Sequence, residues 1–314
     1  MKKKYLITGG LGFIGKAITK SLIEKNNSVI IVDNQFRHKD VKKLNYNNCK
    51  IYNIDIRNKT LLSKVAKNVD VVIHLAAING TNYFYEQPLL VLEVALKGII
   101  NILELCEKKK IPEFFLASSS EVYHNAPYIP ADEKVPLTIP DPLNPRYTYS
   151  AGKIISEIML LNTNFFERFI IFRPHNVYGP NMGYNHVIPE IIMKLMNAKK
   201  NLVIQGSGNH TRSFCYIDDF VSGFNILLKK AKNKNIYNIG TQDEIKIIGL
   251  IKKLIKISNK KITIKNTKEK LGSPSKRCPD IRKISKLGFK PQINLDVGLK
   301  TTFDWYRKEL INVL

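Results

Sequence analysis

The sequence predicts an α/β fold, a doubly wound parallel sheet with a smaller C-terminal lobe. Three observations point there. Short β-branched runs alternate with longer amphipathic stretches through the first half of the chain, the pattern that builds a parallel sheet from strand–helix–strand units. A glycine turn, TGGLGFIG (8–15), joins the first run to the first amphipathic stretch. After Asn176 the alternation gives way to segments punctuated by Gly and Pro, NVYGPNMGYNHVIPEIIMKLMN and NLVIQGSGNHTRSF.

The elements follow in order. KYLIT (4–8) reads as a strand and FIGKAITKSLIEKN (13–26) as an amphipathic helix. SVIIVD (28–33), CKIYNIDI (49–56), VDVVIHLAA (69–77) and EFFLASS (113–119) read as strands two to five. LLVLEVALKGIINILELCEKKK (89–110) is a long helix between the fourth and fifth, YTYSAGKIISEIMLL (147–161) another, and FIIFRP (169–174) a sixth strand. Residues 1–175 are expected to form the sheet domain. Residues 176–314 are expected to form mainly a ligand-binding lobe of two short strands and a few helices, with part returning to the sheet.

Composition narrows the class. Of the 314 residues 44% are hydrophobic and 24% charged, as in ordinary globular domains. Cys49, Cys106, Cys215 and Cys278 lie far apart with no ligand spacing, so neither a metal site nor a disulfide framework is expected, and a cytoplasmic setting fits. The start MKKKYLITGG mimics the charged end of a signal peptide, but its apolar run is short and stops at glycines. No apolar run approaches the ~20 residues that span a membrane. The net charge of +24 is spread through KKK, NAKK and KKAKNKN near expected helix ends, in a chain rich in Lys, Asn and Ile throughout. That distribution argues for composition rather than a nucleic-acid surface.

The glycine turn points to a dinucleotide. Gly9, Gly12 and Gly15 let the backbone approach a pyrophosphate at a helix N-terminus, where N–H groups and the helix dipole favour anions. Asp33 closes the second strand about 20 residues further on, the place of a carboxylate that binds the ribose 2′-hydroxyl of NAD. Asp55, ending NID, is suited either to the adenine amino group or to capping the next helix.

The other end of the site is marked by ASSSEVY (117–123) and YTYSAGK (147–153). Tyr149 and Lys153 are four residues apart, on one face of a helix. An ammonium beside a phenol favours phenolate. A free phenol titrates near pH ~10, so full ionisation at neutrality asks for about 4 kcal/mol of differential stabilisation.

Together these residues resemble an extended short-chain dehydrogenase/reductase of the nucleotide-sugar epimerase, dehydratase and decarboxylase group. The resemblance rests on TGGLGFIG, HLAA (74–77), SSSEVY, YSAGK, RPHNVYGP (173–180), TRSFCYIDD (211–219) and RCPDIRKISKLGFKP (277–291), which span nearly the whole chain. It implies a Rossmann sheet and NAD contacts that also include Phe13, Ile14, Asn34, Ile56, Leu75, Ala76 and Ala77. It implies that Ser119 bonds the sugar 4-hydroxyl, that Tyr149 takes its proton, and that Lys153 holds the nicotinamide ribose. Asn176, Arg212 and Arg277 are implied at the diphosphate, where a guanidinium fork suits phosphate. His74 and His175 are expected to pack rather than to ligate a metal. A homodimer through the long helix and the Tyr149 helix is implied as well. Two departures stand out: His124 replaces the glycine usual after VY, and Glu93 replaces a frequent Asn of the long helix, which puts the usual irregularity of that helix in doubt.

A C4 ketone opens three routes: elimination across C5–C6, loss of a C6 carboxylate, or re-reduction to the C4 epimer. Glu121, placed as a base for the C5 proton, resembles dehydratases and decarboxylases more than plain 4-epimerases. Ser120 stands where glucose-type dehydratases carry an aspartic acid, while mannose-type ones tolerate serine. NPRYTYSAGK and RCPDIRK lean towards decarboxylases and epimerases. Dehydration is placed first, with decarboxylation and 4-epimerisation behind it. RNA-binding members of the fold usually lose the Tyr/Lys pair that this chain keeps, so nucleic acid is not the expected partner.

The cofactor assignment yields a prediction. Asp33 repels a 2′-phosphate, and Arg37 is the nearby cation in sequence that opposes it. Titration should therefore show tighter binding of NAD than of NADP; the reverse order would remove Asp33 from the ribose.

Overall fold

The structure, a computed structural model, describes residues 2–36, 46–268 and 274–311. Arg37 lies outside the described residues. The chain runs β1 (Lys4–Thr8), α1 (Phe13–Glu24), β2 (Ser28–Asp33), β3 (Cys49–Asn53), α2 (Lys59–Val65), β4 (Val71–His74), α3 (Thr81–Glu86), α4 (Pro88–Lys109), β5 (Glu113–Ala117), α5 (Thr148–Leu161) and β6 (Arg168–Pro174). These six strands lie in the order β6-β5-β4-β1-β2-β3, all parallel, and Asn235–Ile239 adds a seventh beside β6. The seventh strand therefore comes from well beyond residue 176.

Strand side chains alternate between two buried layers, as a sheet covered on both faces requires. Ile7, Ile31, Ile73, Phe115 and Phe172 face the layer under α1, which runs on into the C-terminal lobe. Leu6, Ile30, Val72, Phe114 and Ile171 face the layer under α4 and α5. Those two helices approach closely at Gly152, where an added Cβ would lie 2.7 Å from the Cβ of Ala95. The chain goes outward from β1 to β3 and then returns to β4, so the order in which strands are added reverses between β1 and β4. In such sheets the ligand crevice opens at the carboxyl ends of the strands flanking that reversal.

Several elements differ from the sequence reading. β3, β4 and β5 end earlier than expected. β5 stops at Ala117; Ser118 N still donates to Phe172 O at 2.8 Å, and Ser120–Tyr123 then form a 3-10 turn. The lobe holds more than two short strands: Val177–Tyr178, Asn201–Gln205, Thr211–Ser213, Cys215–Tyr216, Glu244–Lys246, Thr263–Thr267 and Lys276–Arg277. Strands of two or three residues are too short to leave an alternation. Helix α4 is an unbroken α-helix across Glu93, which pairs with Arg57 at 3.2 Å and Lys97 at 3.0 Å.

Behind β6, Arg173 and Glu157 form a bidentate pair at 2.8 and 2.5 Å, each side chain 2% exposed. Arg173 also donates to the Tyr123 hydroxyl, which donates onward to Asn238. The network joins α5, the 3-10 turn and the seventh strand. A buried pair of this kind contributes little net stability, but removing one partner costs about 3–5 kcal/mol by stranding the other charge.

Candidate active site

A cavity of about 920 Å³ runs from the glycine turn past the ends of β4, β5 and β6 into the smaller lobe. It is lined at one end by Gly9, Gly12, Phe13, Ile14, Gly15, Asp33, Asn34, Asp55, Ile56, Leu75, Ala76 and Ala77. At the middle it is lined by Ser118, Ser119, Ser120, Glu121, Tyr149 and Lys153, and beyond them by Asn176, Arg212 and Arg277. The structure thus brings the residues singled out in the sequence to one continuous wall.

The cofactor end fits a dinucleotide. Gly9 sits at φ +70°, and a Cβ there would lie 2.8 Å from Ala76 N. At Gly15 a Cβ would lie 2.3 Å from Gly9 O, so the turn closes on the helix only with glycine. Gly12 caps α1 without a side-chain hydrogen bond, which leaves first-turn N–H groups to serve an anion. The Asp33 carboxylate accepts from Leu11 N at 3.0 Å and Gln35 N at 2.8 Å, fixing it at the end of β2. Asp55 lines the cofactor end of the cavity and does not cap α2. It accepts from Arg57 N, Nε and Nη2 and from Asn34, and those Arg57 hydrogen bonds hold its carboxyl below the usual range. The cap of α2 is Asn58, which accepts from Leu61 N at 3.0 Å. Arg57 was missed in the sequence because it also reaches Glu93 on α4, 36 residues away.

At the middle of the cavity two elements meet. Ser119 Oγ accepts from Glu121 N at 3.1 Å, closing the 3-10 turn. Ser118, 3% exposed, has a hydroxyl without a hydrogen-bond partner among the described residues. From α5, Lys153 Nζ donates to Ala117 O at 2.7 Å. The same ammonium lies 5.8 Å from the centre of the Tyr149 ring, which stacks on Phe84 at 5.3 Å. Burial brings the Lys153 pKa down to about 8, against the opposing pull of Glu157. His74 and His175 are buried, and desolvation drives both to about 3, so both are neutral. Their rings bond Thr8 Oγ1 at 2.7 Å and Asn238 at 3.1 Å.

Glu121, expected as a base for the C5 proton, and Arg277, expected at the diphosphate, form a bidentate pair at 2.6 and 3.0 Å. Burial pushes the Glu121 carboxyl up, but Arg277, helped by Arg146, outweighs it and holds it at about 2. Arg212 donates to the carbonyls of Thr211 at 2.7 Å and Pro274 at 2.8 Å, and burial lowers its pKa to about 10. Asn176, at φ +39°, donates to Ser213 O at 2.9 Å. Arg146 also lines the cavity and was not singled out, although it stands three residues before Tyr149 in NPRYTYSAGK. His124 does not line the cavity but lies behind the wall, 4% exposed.

The comparisons agree with this geometry. A family model described as "NAD dependent epimerase/dehydratase family" matches residues 5–240. The chain is 36% identical over 313 residues to a putative UDP-glucose 4-epimerase of Methanocaldococcus jannaschii, covering 96% of this chain and 98% of that protein. It is 31% identical to the dTDP-D-glucose 4,6-dehydratase of Dictyostelium discoideum, covering 97% and 82%. It is also 31% identical to UDP-glucuronic acid decarboxylase 1 of Xenopus tropicalis, covering 98% and 73%. The solved UDP-N-acetylglucosamine 4-epimerase from Methanobrevibacter ruminantium superposes with a TM-score of 0.88 at 27% identity, covering 98% and 100%. With its parallel sheet, its glycine turn and its Ser–Tyr–Lys wall, the chain belongs to the NAD-dependent epimerase/dehydratase family of nucleotide-sugar enzymes.

Proposed function

We propose that the chain, with NAD bound, oxidises C4 of a nucleoside-diphosphate uronic acid and releases C6 as CO2. The observation that carries this reading is the state of Ser120 and Glu121. Dehydration, placed first on sequence alone, must protonate a departing C6 hydroxyl. Ser120 is no acid, and Glu121 is ionised at neutral pH and locked to Arg277. Of the other carboxylates lining the cavity, Asp33 and Asp55 sit at the cofactor end and Glu190 in the smaller lobe. Decarboxylation needs no acid at C6. A C4 ketone makes the C6 carboxylate a β-keto acid, whose C5–C6 electron pair passes to the enolate as CO2 leaves.

The residues present serve that sequence. Tyr149 takes the proton of the C4 hydroxyl, and the Lys153 ammonium favours its phenolate. The glycine turn and Asp33 would hold NAD, which when bound would supply the acceptor for the C4 hydride. Ser119 and the protonated Tyr149 then donate to the enolate oxygen, the charge that develops as CO2 departs. C5 takes its proton from solvent, and return of the hydride to C4, with the Tyr149 proton going to the oxygen, would leave a nucleotide-linked pentose and restore NAD. Arg146, Arg212 and Arg277 together supply cations for a diphosphate and a sugar carboxylate. A second reading, 4-epimerisation, is favoured by the 36% identity to the M. jannaschii protein and asks nothing of Glu121.

A homodimer through α4 and α5 belongs to the same proposal. Leu89 is 71% exposed and Ile158 53%, with Ile100, Ile155 and Leu161 also exposed on these helices. Sedimentation should give a dimer that Ile158→Glu weakens; a monomeric wild type would contradict it.

Two experiments test the chemistry. UDP-, dTDP-, GDP- and CDP-linked uronic acids and neutral hexoses are incubated with the NAD-loaded protein, and products are read by mass. Loss of CO2 is expected; loss of water, or an unchanged mass with an inverted C4, would replace the reading. Glu121→Gln distinguishes the routes further. It should not accumulate NADH if Glu121 only pairs with Arg277, whereas a stalled C5 deprotonation would. Tyr149→Phe should fold and bind nucleotide sugar but lose at least ~100-fold in turnover, the scale of a general acid–base group; near-normal turnover would leave the phenol a packing residue.

A further inference from the structure

We infer that His124 is a positioning residue, a strut that fixes the turn carrying Ser119 and Glu121 against the first turn of α5, which carries Tyr149. The inference rests on the reading that Ser119 and Tyr149 act on one sugar hydroxyl.

The backbone is the first observation. His124 sits at φ +44° and ψ −117°, a conformation suited to glycine and strained for any residue with a Cβ. An imidazole is carried at a position whose backbone asks for none. Strain of this kind persists only where surrounding contacts hold it in place.

The contacts are the second observation. His124 N donates to Glu121 O at 3.4 Å, closing the 3-10 turn from its far end. The ring is buried and stands edge-on to the Tyr147 ring, with centroids 4.3 Å apart and planes at 82°. Its Nε2 lies 3.3 Å from Ser150 Oγ. Ser150 donates its own hydroxyl proton to Tyr147 O at 2.9 Å, so Nε2 carries the hydrogen and Ser150 accepts it. One side chain thus grips the residues two before and one after Tyr149 while its backbone terminates the Ser119–Glu121 turn. Burial, offset in part by Glu121 and reinforced by Arg277 and Arg146, lowers the ring to about 4, so it remains neutral in this role. A further hydrogen bond ties α5 to the strand end just before the turn, Lys153 to Ala117, and Lys153 is itself assigned to the chemistry.

His124→Gly separates backbone from side chain, because glycine keeps the turn conformation and removes the strut. The variant should fold with a melting temperature no lower than wild type. On whichever nucleotide sugar of the panel above the wild type converts fastest, kcat should fall at least ~10-fold with KM within about threefold, since a misplaced catalytic group costs rate rather than binding. Ser150→Ala should fall in the same direction. The double variant should be no worse than His124→Gly alone, because both remove one coupled contact. Added 4-methylimidazole should restore part of the lost rate. Amides 119–123 and 147–150 should exchange with deuterated solvent faster in His124→Gly, with the rest of the chain unchanged. An unaltered kcat, a loss confined to KM, or a general fall in melting temperature would each overturn the assignment. If the wild type converts no sugar of the panel, the proposed reaction fails. The exchange measurement still decides the strut: unchanged protection in both segments would refute it.

Discussion

A buried ammonium bonded to a strand-end carbonyl is the contact on which the site depends. Lys153 Nζ donates to Ala117 O at 2.7 Å, tying α5 to the carboxyl edge of β5. An ammonium is costly to bury without partners, and the lowered pKa of Lys153 reflects that cost. Fixing the lysine fixes the helix face on which Tyr149 lies one turn earlier. It also sets where Ser118 to Glu121 must begin, directly after the anchoring carbonyl. The sheet order then does the rest. With β1, β4 and β5 adjacent, the glycine turn after β1 and the serines after β5 open onto the same crevice.

Charge is distributed unequally along that crevice. At the cofactor end Asp33 is oriented by backbone donors, while Asp55 is neutralised by Arg57. Around Glu121 the balance reverses, with Arg146, Arg212 and Arg277 lining the wall near a single carboxylate. A diphosphate suits such a surface, and a carboxylated sugar suits it further. The pairing of Glu121 with Arg277 matters most for the chemistry. A carboxyl held at about 2 is ionised throughout the physiological range, and a base so weak is poorly matched to proton transfer near neutrality. This separates the proposed route from one that needs Glu121 to strip a proton.

Much of this was legible in the sequence, and the exceptions are instructive. Six of the seven sheet strands showed through their β-branched and apolar runs, while Asn235–Ile239 did not, and the glycine turn showed because no other residue fits between Gly9 O and α1. Tyr149 and Lys153 were visible through helical spacing taken together with the glycine turn, Asp33 and the strand-end serines in that order. The boundaries of β3 to β5 were not, because apolar residues continue past the last paired positions of β3 and β4, and Ser118 still bonds Phe172 O beyond the end of β5. Arg146 escaped notice because its significance comes from Glu121, distant in sequence, and Arg57 because it joins Asp55, two residues away, to Glu93 on α4. The Glu121–Arg277 pair joins residues 156 positions apart, and no local pattern encodes it. His124 was visible only as a departure from an expected glycine; its contacts with Tyr147 and Ser150 depend on how α5 docks.

The most direct measurement is a single turnover with the accepted nucleotide sugar deuterated at C4, following absorbance of the reduced nicotinamide. The account predicts a transient reduced cofactor that carries the deuterium and forms with a primary isotope effect. Turnover with no isotope effect, no reduced cofactor and the C4 deuterium never leaving its carbon would contradict it.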